Sequence, residues 1–399
     1  MILSLLMLAA SGLRAAAAPM AGIVANGGDI DFGKGPWTFS NQWIFHPNVE
    51  YVFDGDVTIA KNGAIGCLVF QGWVADKLAC RLKVTGNLTI DDGGYLLGNG
   101  RGPDENQNRN TTNVGHGGQT VRNASSLAYG SVFSPVLAGM SLATGDQATS
   151  RPGGASLQIE VGGTLTNNGT IGADGYLNAN EGAPGGSINI TAGELTGSGS
   201  ISARSYVKQS WQGTDDAYVS TGGGRIAVRL TNSSIGTDGI WANISAAGTT
   251  YSITSTNYTY ASSSAGTIYL QGANQEEKTG TILVASDGNG NNPSYTTLPS
   301  LLLTDDTVAD YEKATLSIAK CGKVRLFDEL KMEALNIETD SRLDLNGHSL
   351  QVKAATIDGT RLKSGIYTAD SMIDGLGDTS ETLSGSLLIF GGELFIILR

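Results

Sequence analysis

Gly185-Gly186-Ser187-Ile188-Asn189-Ile190, Gly223-Gly224-Arg225-Ile226-Ala227-Val228 and Ala265-Gly266-Thr267-Ile268-Tyr269-Leu270 are three versions of one phrase. Each opens on small residues and then alternates, with Ile in fourth place. The phrases begin at 185, 223 and 265, so the intervals are 38 and 42 residues. Alternation with period two marks a strand with one buried face. A constant strand phrase at an uneven interval is what stacked units with unequal loops produce. The expectation is that each Ile enters a stacked core, its neighbours point to solvent, and Gly turns the corner. A companion strand follows each phrase, at Gly199–Ala203, Trp241–Ala246 and Gly280–Ala285.

Composition agrees with an all-β chain. Of 399 residues 56 are Gly and 9 are Pro, and 16% are charged. Glycine at that density is incompatible with an all-helical fold, and the Gly-X-Y period of collagen is absent. Hydrophobic residues make up 40% of the chain and fall in short alternating runs, which excludes wholesale disorder. The net charge of −12, with 25 Lys and Arg scattered along the chain, offers no basic face for nucleic acid.

Four zones follow. Residues 1–18 read as a secretory signal, with an apolar core from Ile2 to Ala10 and an Ala-x-Ala pattern before Pro19. The expected location is therefore secreted or cell-surface, with no transmembrane segment in the mature chain. Residues 19–80 hold the first strands and an aromatic cluster (Phe32, Trp37, Phe39, Trp43, Phe45, Tyr51, Phe53, Phe70, Trp73). It reads as a cap on a repetitive core in preference to a carbohydrate platform. Residues 81–314 form the glycine-rich β-helix, interrupted by a polar insertion at 98–154. Irregular segments of that length are usually functional or mobile. Residues 315–399 alternate more densely. Phe327–Ile337 reads as strand, because Val324, Leu326, Leu330, Met332 and Ala334 fit a period of two.

The form GGSINITAGELTGSGSISA at 185–203, with GGGRIAV at 222–228, resembles the glycine-rich repeat of large secreted β-helical proteins. LDLNGHSLQVKAATIDGTRLKSGIYTAD at 343–370 is similar to the autotransporter-passenger-associated β-strand repeats of bacterial surface proteins. The resemblance covers roughly 155–399. It implies a right-handed parallel β-helix (β-solenoid) with long loops on one side, displayed at or released from a cell surface. The expected amphipathic strands of a membrane barrel do not follow it.

Chemistry is sparse. The acid pairs Asp91-Asp92, Asp215-Asp216 and Asp305-Asp306 fall in turns, where Asp serves backbone hydrogen bonding. Arg225 and Arg229 share a strand face, but no acid cluster recurs at matching positions. His116 stands in the insertion, where a ligand or catalytic contact is expected, yet no nucleophile motif accompanies it. Asp287, Asn289 and Asn291 present alternating oxygens suited to calcium, the one metal this chain suggests. Against that, the sixth position is not Gly and Leu298 stands at the twelfth, so a solvated turn is favoured. Tyr251, Tyr258 and Tyr260 suit surface contact, each offering apolar area and a polar tip. Cys67 and Cys80 either pair, leaving Cys321 alone, or all three are buried thiols. Asn-x-Ser/Thr sequons occur at Asn87, Asn110, Asn123, Asn168, Asn189, Asn232, Asn243 and Asn257. The expected function is non-catalytic display or adhesion toward extracellular polysaccharide or a neighbouring or host surface. The alternative is a carbohydrate-active enzyme, a polysaccharide lyase or glycoside hydrolase, on the same scaffold.

Overall fold

The computed structural model describes residues 30–47, 49–67, 79–102, 116–118, 128–139, 153–176, 183–206, 222–248, 263–286, 295–302, 304–368 and 385–390. The signal stretch 1–18, Phe70 and Trp73 lie outside them. Among the described residues the chain is all-β, with short 3-10 turns at Gly239–Asn243 and Val308–Tyr311 and no α-helix. No helix among them is long and apolar enough to cross a membrane.

The three phrases stack as their spacing requires. Ile188, Ile226 and Ile268 pair in parallel register, and none is more than 2% exposed. Leu157 and Cys80 extend this column. Two residues along the strands, Tyr51, Leu82, Ile159, Ile190 and Val228 form a second buried column. Stacked branched residues on a pleated face are the unit of sheet stabilisation.

Each tier crosses two sheets. Ser156–Asn167 bends where its register shifts between Val161 and Thr164. Its first half lies beside Ala79–Val84 and its second beside Leu88–Ile90, all in one main sheet. The chain then enters a second, six-stranded sheet through Thr170–Gly172, between Tyr95–Leu97 and Ser200–Ser202. There Ile65, Leu96, Ile171 and Ile201 form a column with no more than 1% exposure. The first core fills the space between the sheets. At its beginning the aromatics stack on one another, Phe32 on Phe53 at 4.5 Å and Phe45 on Tyr51 at 3.8 Å between ring centres.

Glycine is needed here for closeness, which corrects the expectation that it turns the corner. Gly224 and Gly266 donate their amides to Ala203 and Ala246 at the ends of second-sheet strands, at 2.7 and 2.8 Å. A Cβ on Gly266 would lie 1.7 Å from the carbonyl oxygen of Gly224, and one on Gly224 would lie 2.0 Å from that of Gly186. Neither glycine has the left-handed φ of a turn residue.

The third companion strand also departs from the expected pattern. Thr281–Ala285 does not continue the second sheet. It folds back antiparallel to Thr267–Gln271, pairing Ile268 with Leu283 and Tyr269 with Ile282. Every later neighbour in this part of the main sheet (Thr315–Ala319, Leu330–Ile337 and Ser349–Ile357) is parallel to it in succession. Among these strands direction reverses in the middle of a continuous sheet, and farther on Thr360–Arg361 and Gly365–Thr368 also pair antiparallel with their neighbours.

The core changes sides at the same place. Ile226, Val228 and Ile268 belong to the first core, whereas Ala227, Tyr269, Ile282 and Val284 belong to a second one on the opposite face. Ala227 and Tyr269 are therefore buried, not solvent-facing as alternation alone suggests. The second core contains the columns Ile282, Leu316, Leu335, Ala355 and Val284, Ile318, Ile337, Ile357. A third sheet of Thr296–Leu298, Lys323–Leu326 and Arg342–Asp344 closes one side of it. Leu330–Ile337 is a strand, as read from its period. It buries Leu335 and Ile337 and leaves Ala334 half-buried, because alternation slips one residue beyond Met332.

Candidate functional site

Outward alternation places Ser156, Ser187, Arg225 and Thr267 in one register row on the main sheet, facing away from the first core. All four have 0% exposure. Their cover is the insertion, whose residues 116–118 and 128–139 lie against this face. The sequence signals neither the contact nor its partner, since the insertion has no periodicity and is remote in sequence from the strands it covers.

His116 is part of this seam. Its Nδ1 faces the Gly185 carbonyl oxygen at 2.8 Å, so Nδ1 carries the proton and Nε2 is left as acceptor. Nε2 lies 3.3 Å from the Ser187 hydroxyl, which makes a shorter contact of 2.6 Å to the Leu137 carbonyl. The ring packs beside Tyr129 at 4.7 Å, and the Tyr129 hydroxyl donates to Ala138. Burial, reinforced by the Arg225 charge, pushes the His116 pKa down to about 3. A serine beside a neutral imidazole has the atoms of a nucleophile and base. Neither group has any exposed surface, however. As placed, they pin the insertion to the sheet.

Arg225 is the larger commitment. Its guanidinium donates from Nε to the Tyr129 carbonyl at 2.9 Å, from Nη1 to Thr267 Oγ1 at 2.7 Å and from Nη2 to Ser300 Oγ at 2.8 Å. These acceptors come from the insertion, the first part of the chain and the second. All are neutral, and burial pulls the Arg225 pKa below its usual value. Arginine nevertheless keeps its proton. Arg229, four residues on, donates to the Phe133 carbonyl and to Asn189. Both arginines are thus engaged in holding the insertion. On the far side Ala128 N–H donates to Thr297, Gly130 N–H to the Leu302 carbonyl, and both Ser131 Oγ and Val132 N–H to Asp306. Phe133 packs edge-on against Tyr269 and Tyr311, each at 5.1 Å, inside the second core. The insertion therefore bolts the outer face of the first part to the second.

The sequence-predicted contact residues Tyr251, Tyr258 and Tyr260 lie outside the described residues, as do Asp287, Asn289 and Asn291. Their attachment points are described. Segments 177–182, 207–221 and 249–262 each run from the end of a second-sheet strand to the start of a main-sheet strand. The described residues that flank them lie along one edge of the main sheet, where the Ala183–Tyr206 bridge and a 3.1 Å contact between Ser205 and Ser263 hydroxyls join successive tiers. Segment 287–294 follows Thr281–Ala285. Because that strand is reversed, its end lies beside the start of Thr267–Gln271, at the same edge.

One buried carboxylate marks this edge. Asp174 Oδ1 accepts from Ser202 Oγ at 2.5 Å and from the Arg204 amide at 2.6 Å, and burial raises its pKa. The pair Asp91-Asp92 lies in a turn closed by Gly94 N–H to the Asp91 carbonyl, and Asp215-Asp216 falls outside the described residues. Among the described residues no group of three or more His, Cys, Asp or Glu is arranged to hold a metal ion. Of the described sequons, Asn189 is bonded to Arg229, while Asn232 and Asn243 are exposed. Compared with known proteins, the chain matches no family model, no curated protein and no solved structure.

Proposed function

We propose that this chain is an exported, non-catalytic surface protein, a right-handed β-solenoid that displays loops toward extracellular polysaccharide or a neighbouring surface. The observation that carries the reading is the alignment of loop attachment points along one edge of a rigid sheet. A scaffold that fixes several variable segments side by side is suited to multivalent contact. The buried seam supports it further, because its Ser, His and Arg are engaged by protein groups. The signal-like N-terminus and the autotransporter-passenger resemblance agree with export.

The test is a polysaccharide array probed with residues 19–399, with and without calcium, read for binding and for turnover. Binding without turnover, lost when Tyr251, Tyr258 and Tyr260 are changed together to Ala, is the expected result. Calcium dependence abolished by Asp287→Asn would place the ion in segment 287–294. New reducing ends or unsaturated products would overturn the display reading in favour of a carbohydrate-active enzyme, with Asp174 the first acid to substitute.

A further inference from the structure

Cys67 ends the second-sheet strand Ala64–Cys67, and Cys80 is the second residue of the main-sheet strand Ala79–Val84. The chain between them leaves one sheet and enters the other at the same corner from which the later loops depart. Both side chains point inward, with 4% and 2% exposure, and both belong to the first core. The register gives the same placement, since Cys67 pairs with inward-facing Phe45 and Cys80 with Leu157. Both are free thiols in the structure, near enough that Cys80 bears on the Cys67 thiol and both bear on the Tyr51 hydroxyl. In the column of Cys80 the later tiers carry Leu157, Ile188, Ile226 and Ile268. This tier replaces a branched aliphatic with a thiol and sets a second thiol against it. Cys321 is buried in the second part of the chain, in a tight turn closed by Gly322 N–H to the Ala319 carbonyl.

We propose that Cys67 and Cys80 form a disulfide that clamps the second sheet to the main sheet at this corner, with Cys321 remaining a thiol. The oxidant is a low-molecular-weight disulfide or the disulfide of an oxidoreductase. One cysteine thiolate attacks it, forming a mixed disulfide and releasing one thiol. The other thiolate then attacks the cysteine sulfur of that mixed disulfide, closing the Cys67–Cys80 bond and releasing the second thiol. Two electrons pass to the oxidant, and the two cysteine protons end on its two released thiols. In the packed core, contact with Cys80 and burial hold the Cys67 thiol well above its usual pKa, so little thiolate is available. The bond accordingly closes while the chain folds, before this corner packs. The proposal rests on the export reading only for the compartment that supplies the oxidant.

The full chain is refolded from denaturant in a mixture of oxidised and reduced glutathione, or in excess reductant, then alkylated and digested without reduction. A cross-linked Cys67–Cys80 peptide with alkylated Cys321 is expected from the oxidising arm, and three alkylated cysteines from the reducing arm. Three alkylated cysteines in both arms, or any cross-link through Cys321, would overturn the proposal. A Cys67→Ala, Cys80→Ala double variant serves as control. It should unfold at a lower temperature than the oxidised protein, and equal melting would refute the clamp. Since refolding supplies its own oxidant, a missing cross-link counts against this proposal and leaves the export reading untouched.

Discussion

Arg225 and Ser300, 75 positions apart in sequence, share a hydrogen bond of 2.8 Å from Nη2 to Oγ, with the arginine wholly buried and the serine 1% exposed. The serine oxygen also lies 3.0 Å from the Gly130 carbonyl and 3.2 Å from that of Ala128. Two strand systems and the insertion thus meet on one guanidinium. Arg225→Met is expected to destabilise the protein by about 3–5 kcal/mol, because the acceptors around it lose their donor in a dry setting. Arg225→Lys should recover little, since a point charge cannot reach three divergent acceptors as the planar fork does. Denaturant midpoints of both variants check this, and a methionine variant as stable as wild type would refute it.

Gly266→Ala is expected to prevent folding to the native state, because its Cβ would lie 1.7 Å from a backbone carbonyl that cannot move without disturbing the sheet. Gly66→Ala is the contrast. There the nearest atom to the new Cβ is the Leu97 carbonyl oxygen at 3.8 Å, and the expected change is within about 0.5 kcal/mol. Soluble yield and thermal melts of the two variants separate close approach from a general intolerance of alanine.

His116 makes the seam acid-sensitive. Folding lowers its pKa from 6.5 to about 3, so the unfolded chain binds a proton as pH falls through 6.5 while the folded one does not until about 3. This contribution destabilises the fold progressively across that window and is absent above it. His116→Gln should therefore show a shallower loss of stability than wild type between pH 6.5 and 4. Parallel slopes in paired denaturation series would show that the imidazole does not titrate in this way.

Asp306 holds the insertion by two bonds, 2.8 Å from Ser131 Oγ and 2.9 Å from Val132 N. Asp306→Asn keeps one acceptor oxygen and loses the charge that strengthens both bonds. The amides around 128–133 are expected to exchange faster by roughly ten- to a hundredfold, corresponding to about 1–3 kcal/mol of local opening. Strand amides at 316–318 should be little affected. Exchange measured by mass spectrometry distinguishes this local release from global loss of stability.

What the sequence disclosed followed from repetition. The intervals 38 and 42 placed Ile188, Ile226 and Ile268 in one column, and alternation recovered most of the strands around them. What it concealed was non-local. Nothing in Thr281–Ala285 encodes strand direction, so a strand that folds back looks like one that stacks. Ser187, Arg225 and Thr267 read as solvent-facing because their cover arrives from an insertion without periodicity. Arg225 did carry a faint signal, a long cation in a row whose other members are the small residues Ser156, Ser187 and Thr267. The slip from Ala334 to Leu335 does not show in the sequence, because period-two counting assumes strict alternation and the burial of this strand skips a beat at Glu333 and Ala334.

The pairing of Ile268 with Leu283 has a consequence best put in the language of symmetry. Reversing strand direction alone would mirror the path of the coil, and moving the core to the opposite face alone would mirror it as well. Performed together, the two operations amount to a twofold rotation about the stacking axis, and a rotation preserves chirality. Whichever hand the first block winds, the second winds the same, so the chain ends one core and begins another without the crossover inversion that parallel connections avoid.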